Sequence, residues 1–335
     1  MEQKKELTGY PSIDKPWLKY YKANAEKEAN NIPKNKTVWD VIEESFNKYL
    51  NIPAIEYFGR TISRKEFIEN VYLWAKVFKV LGVKENEVVA YYGPFMPDVC
   101  YMTFALNIIG VCPYFLKLAI SPEALAEETK ECRFAIVFDQ MWGNVSNEFS
   151  KDRFETVIIA RITDALPVPK KQIVALLSAL KKKVVFPKGN KYISVPKARK
   201  LATSGYDEDI KPVFIPDRNA FITSSSGTTV GGVVKGVVAT NESVIMQLYM
   251  AGASGCQYFS GERCLNHFPP TAATSLNILF MLPLFRGMTV VIDPRVSDKD
   301  FYKQVTKYHA SVICTTGSSW EVFLTGLVKI WEKKG

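Results

Sequence analysis

Short runs of β-branched and aromatic residues alternate with amphipathic stretches through most of this chain, from residue 37 to residue 332. Runs such as Phe134–Phe138 are apolar at every position, as a strand buried on both faces demands. Buried strands alternating with helices build parallel sheets whose faces the helices cover, so the fold class is α/β with largely parallel sheets. Strands are predicted at 54–57, 87–92, 111–116, 134–138 and 156–159. Helices are predicted at 37–49, 63–81, 97–109 and 121–132. Thr37 opens the first as an N-cap, Ser63 and Glu66 make a capping box, and Pro122 takes a first helical position. A second set follows, with strands at 220–223, 263–268, 289–292 and 311–315 and helices at 241–258, 275–285, 297–309 and 318–332. Two sets of comparable size suggest two αβ subdomains, 1–215 and 216–335, the first ending in a basic connecting segment at 165–206.

That segment carries the charge. No acidic residue stands between Asp164 and Asp207, while ten lysines and arginines do (Lys170, Lys171, Lys181, Lys182, Lys183, Lys188, Lys191, Lys197, Arg199 and Lys200). The net charge is +9, so the rest of the chain is nearly neutral. A neutral body with one basic stretch argues against nucleic acid as partner. Two readings stand: a solvated surface segment, or weak attraction of 170–200 to an anionic membrane surface.

Six scattered cysteines with no CxxC pair fit reduced thiols in a cytoplasmic protein better than a disulfide framework or a zinc site. The N-terminal residues have no apolar core of a secretory leader. Apolar stretches at 88–120 and 276–292 are broken by prolines and charges, and neither reads as a membrane span.

The chemistry concentrates at residues 221–238, FITSSSGTTVGGVVKGVV. An apolar strand runs into small hydroxyl and glycine residues, then two more glycines, then Lys235. Glycines let backbone N–H groups crowd round a polyanion, hydroxyls donate without bulk, and a lysine neutralises charge. A flexible surface loop is the plainer reading, but it does not explain a lysine set between a strand and a helix. A Walker A loop needs Gly-Lys-Ser/Thr, whereas Val234 precedes Lys235 and Gly236 follows it. A dinucleotide fingerprint and a GxSxG elbow are absent, and His267 and His309 are the only histidines to serve a nucleophile.

The loop resembles the TSGTTGxPKGV phosphate-loop signature of the adenylate-forming enzymes, which include acyl-CoA synthetases. Ser225, Ser226, Gly227, Thr228 and Thr229 match its first half, and Lys235, Gly236 and Val237 its second. Five residues (Val230–Val234) stand where the family has three, and Val234 replaces the proline. Other stretches resemble the family in family order: RTISRKEF at 60–67, LGVKENEVVA at 81–90, the run 106–138, LFRGMTVV at 284–291 and HASVICTT at 309–316.

The resemblance implies two stacked αβ subdomains and ATP- and Mg2+-dependent activation of a carboxylic acid to an acyl-adenylate, followed by thioester formation with coenzyme A. It implies that Ser225, Ser226, Gly227, Thr228, Thr229 and Lys235 contact the phosphates. Pro269, Pro270 and Thr271, with Thr315, Thr316 and Gly317, would line the acyl pocket, where the family's common histidine is missing. The family's adenine-, magnesium- and ribose-binding motifs, its C-terminal lid domain and its catalytic lysine would all follow Gly335. Two other readings remain: a non-catalytic nucleotide- or acyl-binding module on the same fold, and a different phosphate-handling α/β enzyme.

Overall fold

The computed structural model describes residues 7–20, 30–166, 172, 189–205, 209–225, 235–253, 257–294 and 301–333. Its strands are β1 (Ile55–Tyr57), β2 (Arg60–Ile62), β3 (Val88–Tyr92), β4 (Cys112–Phe115), β5 (Phe134–Phe138), β6 (Thr156–Ala160), β7 (Tyr192–Ser194), β8 (Asn219–Ser224), β9 (Gly236–Thr240), β10 (Arg263–Asn266), β11 (Thr289–Ile292) and β12 (Val312–Ile313). Besides a single helical turn at Pro11–Asp14, the α-helices are α1 (Val38–Lys48), α2 (Arg64–Val80), α3 (Pro97–Ile108), α4 (Pro122–Glu128), α5 (Trp142–Phe149), α6 (Val195–Gly205), α7 (Asn241–Ala253), α8 (Ala273–Leu276), α9 (Leu282–Phe285), α10 (Phe301–Tyr308) and α11 (Gly317–Lys333).

Two sheets form, in the orders β7-β6-β5-β3-β4-β8-β9 and β12-β10-β11-β1-β2. Every pairing is parallel except two edge hairpins, β8–β9 and β1–β2. The sheets do not follow the expected division at 215/216. β1 and β2 lie before it yet join β10–β12, while β8 and β9 lie after it yet complete the larger sheet. Long-range pairing such as Ile55 opposite Val290 decides this, and local sequence carries no record of it.

Strand alternation sorts side chains into layers. In β3, Val89 and Tyr91 face the main core while Ala90 and Tyr92 face the layer holding Leu125 of α4 and Trp142 and Phe149 of α5. In β11, Val290 and Ile292 face the same main core, and Val291 packs outward against Phe301 of α10 and Phe323 of α11. Helices thus fill the space between the sheets and cover their outer faces. α3 occupies that middle space, and all twelve of its residues are buried. Its Phe104 meets Trp39 of α1 at 5.3 Å and Phe280 at 5.6 Å between ring centroids.

A helix that starts inside a core needs partners for its first N–H groups. For α1, Thr37 and Asp40 form a capping box. Val38 N donates to Asn241 Oδ1 at 2.9 Å and Trp39 N to Asn107 Oδ1 at 3.1 Å. Asn107 also donates to Asn241 Oδ1 at 2.9 Å, and Asn241 Nδ2 donates to Arg218 O at 3.2 Å. These two buried amides tie the starts of α1 and α7 to α3.

The helix expected over 275–285 is broken by a π-helical turn at Asn277–Met281, where Leu282 N donates to Asn277 O five residues back. Pro283 explains it, because its ring would crowd the carbonyl four residues earlier in a regular helix. The helix expected to reach 258 is described as far as Ala253, and residues 257–258 are not helical. β2, β7, β9, α5 and α6 were not expected. Of the basic residues, those within 170–171 and 181–188 fall outside the described residues. Two described ones are committed internally: Lys191 Nζ donates to Ser150 O and Lys151 O at 2.9 Å, and Arg199 pairs with the buried Asp98 at 2.9 Å. Among the described residues no helix is long and apolar enough to cross a membrane.

Candidate phosphate-binding site

β8 is an interior strand of the larger sheet, and its chain leaves at the carboxyl edge, where ligands of parallel α/β sheets bind. Its last residue, Ser224, lies opposite Gly236, the first of β9, so the intervening loop is the tip of an antiparallel hairpin. The tip residues Ser226, Gly227, Thr228 and Thr229, with Val230–Val234, lie outside the described residues. The stem is well defined. Ser225 N donates to Lys235 O at 2.8 Å, and Lys235 N donates to Ser225 Oγ at 2.9 Å. One serine therefore clamps the chain where it enters and leaves the loop, and the exposed Lys235 stands at the rim.

Below the clamp, the Ser224 hydroxyl bridges to β4, accepting from Lys117 N at 3.2 Å and donating to Phe115 O at 3.3 Å. Tyr114 of β4 lies under the hairpin and is 6% exposed. Burial, and then the adjacent Glu128 carboxyl, push its phenol pKa up. Glu128 closes α4 with both carboxylate oxygens buried, and burial pushes its pKa up as well.

The glycine of the Lys235-Gly236 pair has a steric reason. A Cβ on Gly236 would lie 2.9 Å from the Tyr114 hydroxyl and 3.0 Å from Ile222 Cγ2. Gly236→Ala is expected to destabilise by about 1–3 kcal/mol, the range for forcing an extra carbon into packed surroundings. Tyr114→Phe removes the nearest of the obstructing atoms and should recover part of that loss. A double-mutant cycle by denaturant unfolding measures the coupling, and strict additivity would show that the two groups do not meet.

The residues expected to line an acyl pocket leave the carboxyl edge of the other sheet. β10 and β12 are parallel neighbours, Leu265 opposite Ile313, so Pro269–Thr271 and Thr315–Gly317 follow adjacent strand ends. The first segment is pinned by Ser275 Oγ, which donates to Asn266 Oδ1 at 2.9 Å and lies 3.0 Å from Phe268 O. Thr316 pairs its hydroxyl with Ser319 Oγ at 2.8 Å at the start of α11, which makes it part of a helix cap. His267 lies between Phe268 and Phe301, at 4.2 and 4.7 Å between ring centroids.

One cleft of about 280 Å³ lies at the opposite, amino-terminal edge of the larger sheet, beside Gly110, Cys112 and Arg218. Sequence patterns pointed to the loop but not to Tyr114, Lys117 or Glu128, which reach the stem from a neighbouring strand and helix.

The described residues form an α/β fold whose β8–β9 hairpin, with Lys235 on its stem, leaves the carboxyl edge of a largely parallel sheet. The chain matches the AMP-binding enzyme family over residues 42–334 and belongs to it. Acetyl-coenzyme A synthetase of Brucella canis is 27% identical over 270 residues, which cover 77% of this chain. The match covers only 39% of that enzyme's length. An anthranilate CoA ligase solved in complex with anthranoyl-AMP superposes with a TM-score of 0.71 at 13% identity, over 88% of this chain and 52% of its own. A Mycobacterium tuberculosis fatty acyl CoA synthetase gives 0.61 at 14% identity, over 86% and 50%. These structures show that the fold is shared.

Proposed function

We propose that this chain contributes the phosphate-holding part of an acyl-CoA synthetase, which activates a carboxylic acid to an acyl-adenylate and passes the acyl group to coenzyme A. The observation that carries the reading is the clamp between Ser225 and Lys235, which fixes the mouth of a glycine- and hydroxyl-rich loop. The residues present suit a polyphosphate: small donors in the loop and a rim ammonium on Lys235. Bound Mg2+–ATP would supply the reactive phosphoanhydride and neutralise part of its charge. Within this chain, the Ser225 and Lys235 backbones hold the loop mouth closed, and Lys235 Nζ places positive charge at its rim. Positioning and charge stabilisation of this kind are what adenylyl transfer asks of a protein. The segments 269–271 and 315–317 are the candidate acyl-pocket walls. The family's relatives named above support acid activation, and the anthranoyl-AMP complex is consistent with a carboxylic acid substrate.

The reading is tested by titrating the chain with inorganic tripolyphosphate and with Mg2+–ATP at low salt. Lys235→Ala should weaken tripolyphosphate binding about tenfold, as loss of a charge-assisted contact would. Equal affinities for the folded variant and the parent would remove Lys235 from the site.

A further inference from the structure

We propose that a cleft of about 260 Å³ between α1, α7 and the end of α9 binds a small flat organic anion, an aromatic carboxylate in the simplest case. The inference is independent of the phosphate-binding reading. Two of the lining residues, Tyr49 and Arg286, lead into β1 and β11, which run parallel. The cleft therefore lies on the amino-terminal side of the smaller sheet. The candidate acyl-pocket segments 269–271 and 315–317 leave the opposite, carboxyl edge.

Three aromatic rings line the cleft, and the fold holds its walls together. Tyr49 closes α1 and lies against the turn at Gly287, whose φ is +78°. A Cβ on Gly287 would lie 2.7 Å from Tyr49 Cδ2, so the missing side chain makes room for the ring. Ser45 Oγ donates to Phe285 O at 2.6 Å and ties α1 to the end of α9. Phe285 meets Tyr249 of α7 at 5.0 Å between ring centroids. Arg286 Nη2 reaches from α9 to the carbonyls of Leu248 and Tyr249, at 3.3 and 3.4 Å. The volume falls just below the roughly 300 Å³ at which pockets for drug-sized ligands begin, which suits one ring and its acid group.

Two cations line the same cleft beside those rings. Lys48 Nζ stands 5.0 Å from the Tyr49 ring centroid, and Arg286 Cζ stands 5.3 Å from that of Phe285. Among the described residues neither is paired with a carboxylate, and Glu44, the acidic residue of the lining, pairs with Lys36 instead. Arg286 spends only Nη2 on the α7 carbonyls, which leaves Nε and Nη1 to donate. A flat ligand can lay its ring on the aromatic walls while its carboxylate meets the two cations. A ring-bearing cation would meet two like charges, and a simple inorganic anion would leave the rings uncovered.

The test is a calorimetric titration of the 335-residue chain with benzoate at low salt, compared with acetate and benzylamine. Benzoate should bind about tenfold more tightly than acetate, the gain from covering the ring, and benzylamine should not bind. Arg286→Gln should weaken benzoate binding about tenfold, and Lys48→Gln about threefold because its exposed charge is partly screened. Lys235→Ala should leave benzoate affinity unchanged. Thermal unfolding checks that each variant folds, and the exposed Lys48 carries the test should Arg286→Gln misfold. Methyl-detected NMR locates the ligand, with benzoate NOEs expected to Val41, which lines the cleft. Unchanged affinity in folded Lys48→Gln overturns the proposal. So do NOEs confined to methyls away from the cleft, acetate binding as tightly as benzoate, or no binding by the parent. None of these results bears on tripolyphosphate binding at the loop, and failure of that binding would leave this site standing.

Discussion

A polypeptide of these 335 residues is expected to show no acid-dependent exchange of labelled pyrophosphate into ATP. The reason lies in which groups the described site contains. On the proposed reading the loop and Lys235 would stabilise only part of the charge in adenylyl transfer, and metal ions with their protein ligands usually supply much of the rest. The family resemblance assigns adenine stacking, ribose binding, magnesium ligation and the catalytic lysine to motifs outside these residues. The chain correspondingly covers 39% of the Brucella canis synthetase. Without nucleoside contacts ATP gains little orientation, and orientation accounts for much of the barrier that such enzymes remove. Tripolyphosphate binding should persist while exchange stays at background across short, long and aromatic acids. Robust exchange would show that the catalytic parts have been assigned to the wrong residues. Exchange that stays absent in a longer polypeptide bearing those motifs would favour the non-catalytic binding module.

Arg64→Ala should cost about 3–5 kcal/mol of stability, the range for breaking a buried charged network. Arg64 is fully buried at the first position of α2. Its guanidinium donates to three carbonyls, Ile52 at 3.1 Å, Leu284 at 3.1 Å and Met288 at 2.9 Å, and lies over the Phe46 ring at 4.4 Å. Burial pulls its pKa down to about 10, so it remains charged at neutral pH. The residue ties the approach to β1 to the end of α9 and the turn into β11. Alanine would leave three buried carbonyls without this partner and open a cavity. Lysine, with its donors at one point, does not span the three carbonyls and should recover only part of the loss. Urea unfolding monitored by tryptophan fluorescence measures this as a fall in midpoint. A change below about 1 kcal/mol would show that the carbonyls find other donors.

The elements whose signals are local were legible. The strands Phe134–Phe138 and Thr289–Ile292 were placed by their apolar runs, α1 and α2 by the caps Thr37 and Ser63, and α4 by Pro122 in its first turn. β9 was missed because Gly236–Thr240 follows a glycine-rich run and sits exposed on a sheet edge, where alternation fades. α5 was missed because no side chain caps its start, and α6, though Ser194 Oγ accepts from Lys197 N at 3.4 Å, because it lies inside the basic segment. The loop was legible as a candidate site because the proposed chemistry needs small residues in one contiguous run.

By itself, then, the sequence determined the class of fold and the family, and it marked the glycine- and hydroxyl-rich loop as the candidate site, since each is written in neighbouring residues. Tertiary structure decided which strands share a sheet. It made Arg64 a link between segments more than two hundred residues apart, gave Gly236 its reason in the Tyr114 hydroxyl, and set Lys117 beside Ser224. Those relations join residues distant in sequence, so they come into being only when the strands pair and the helices pack between them.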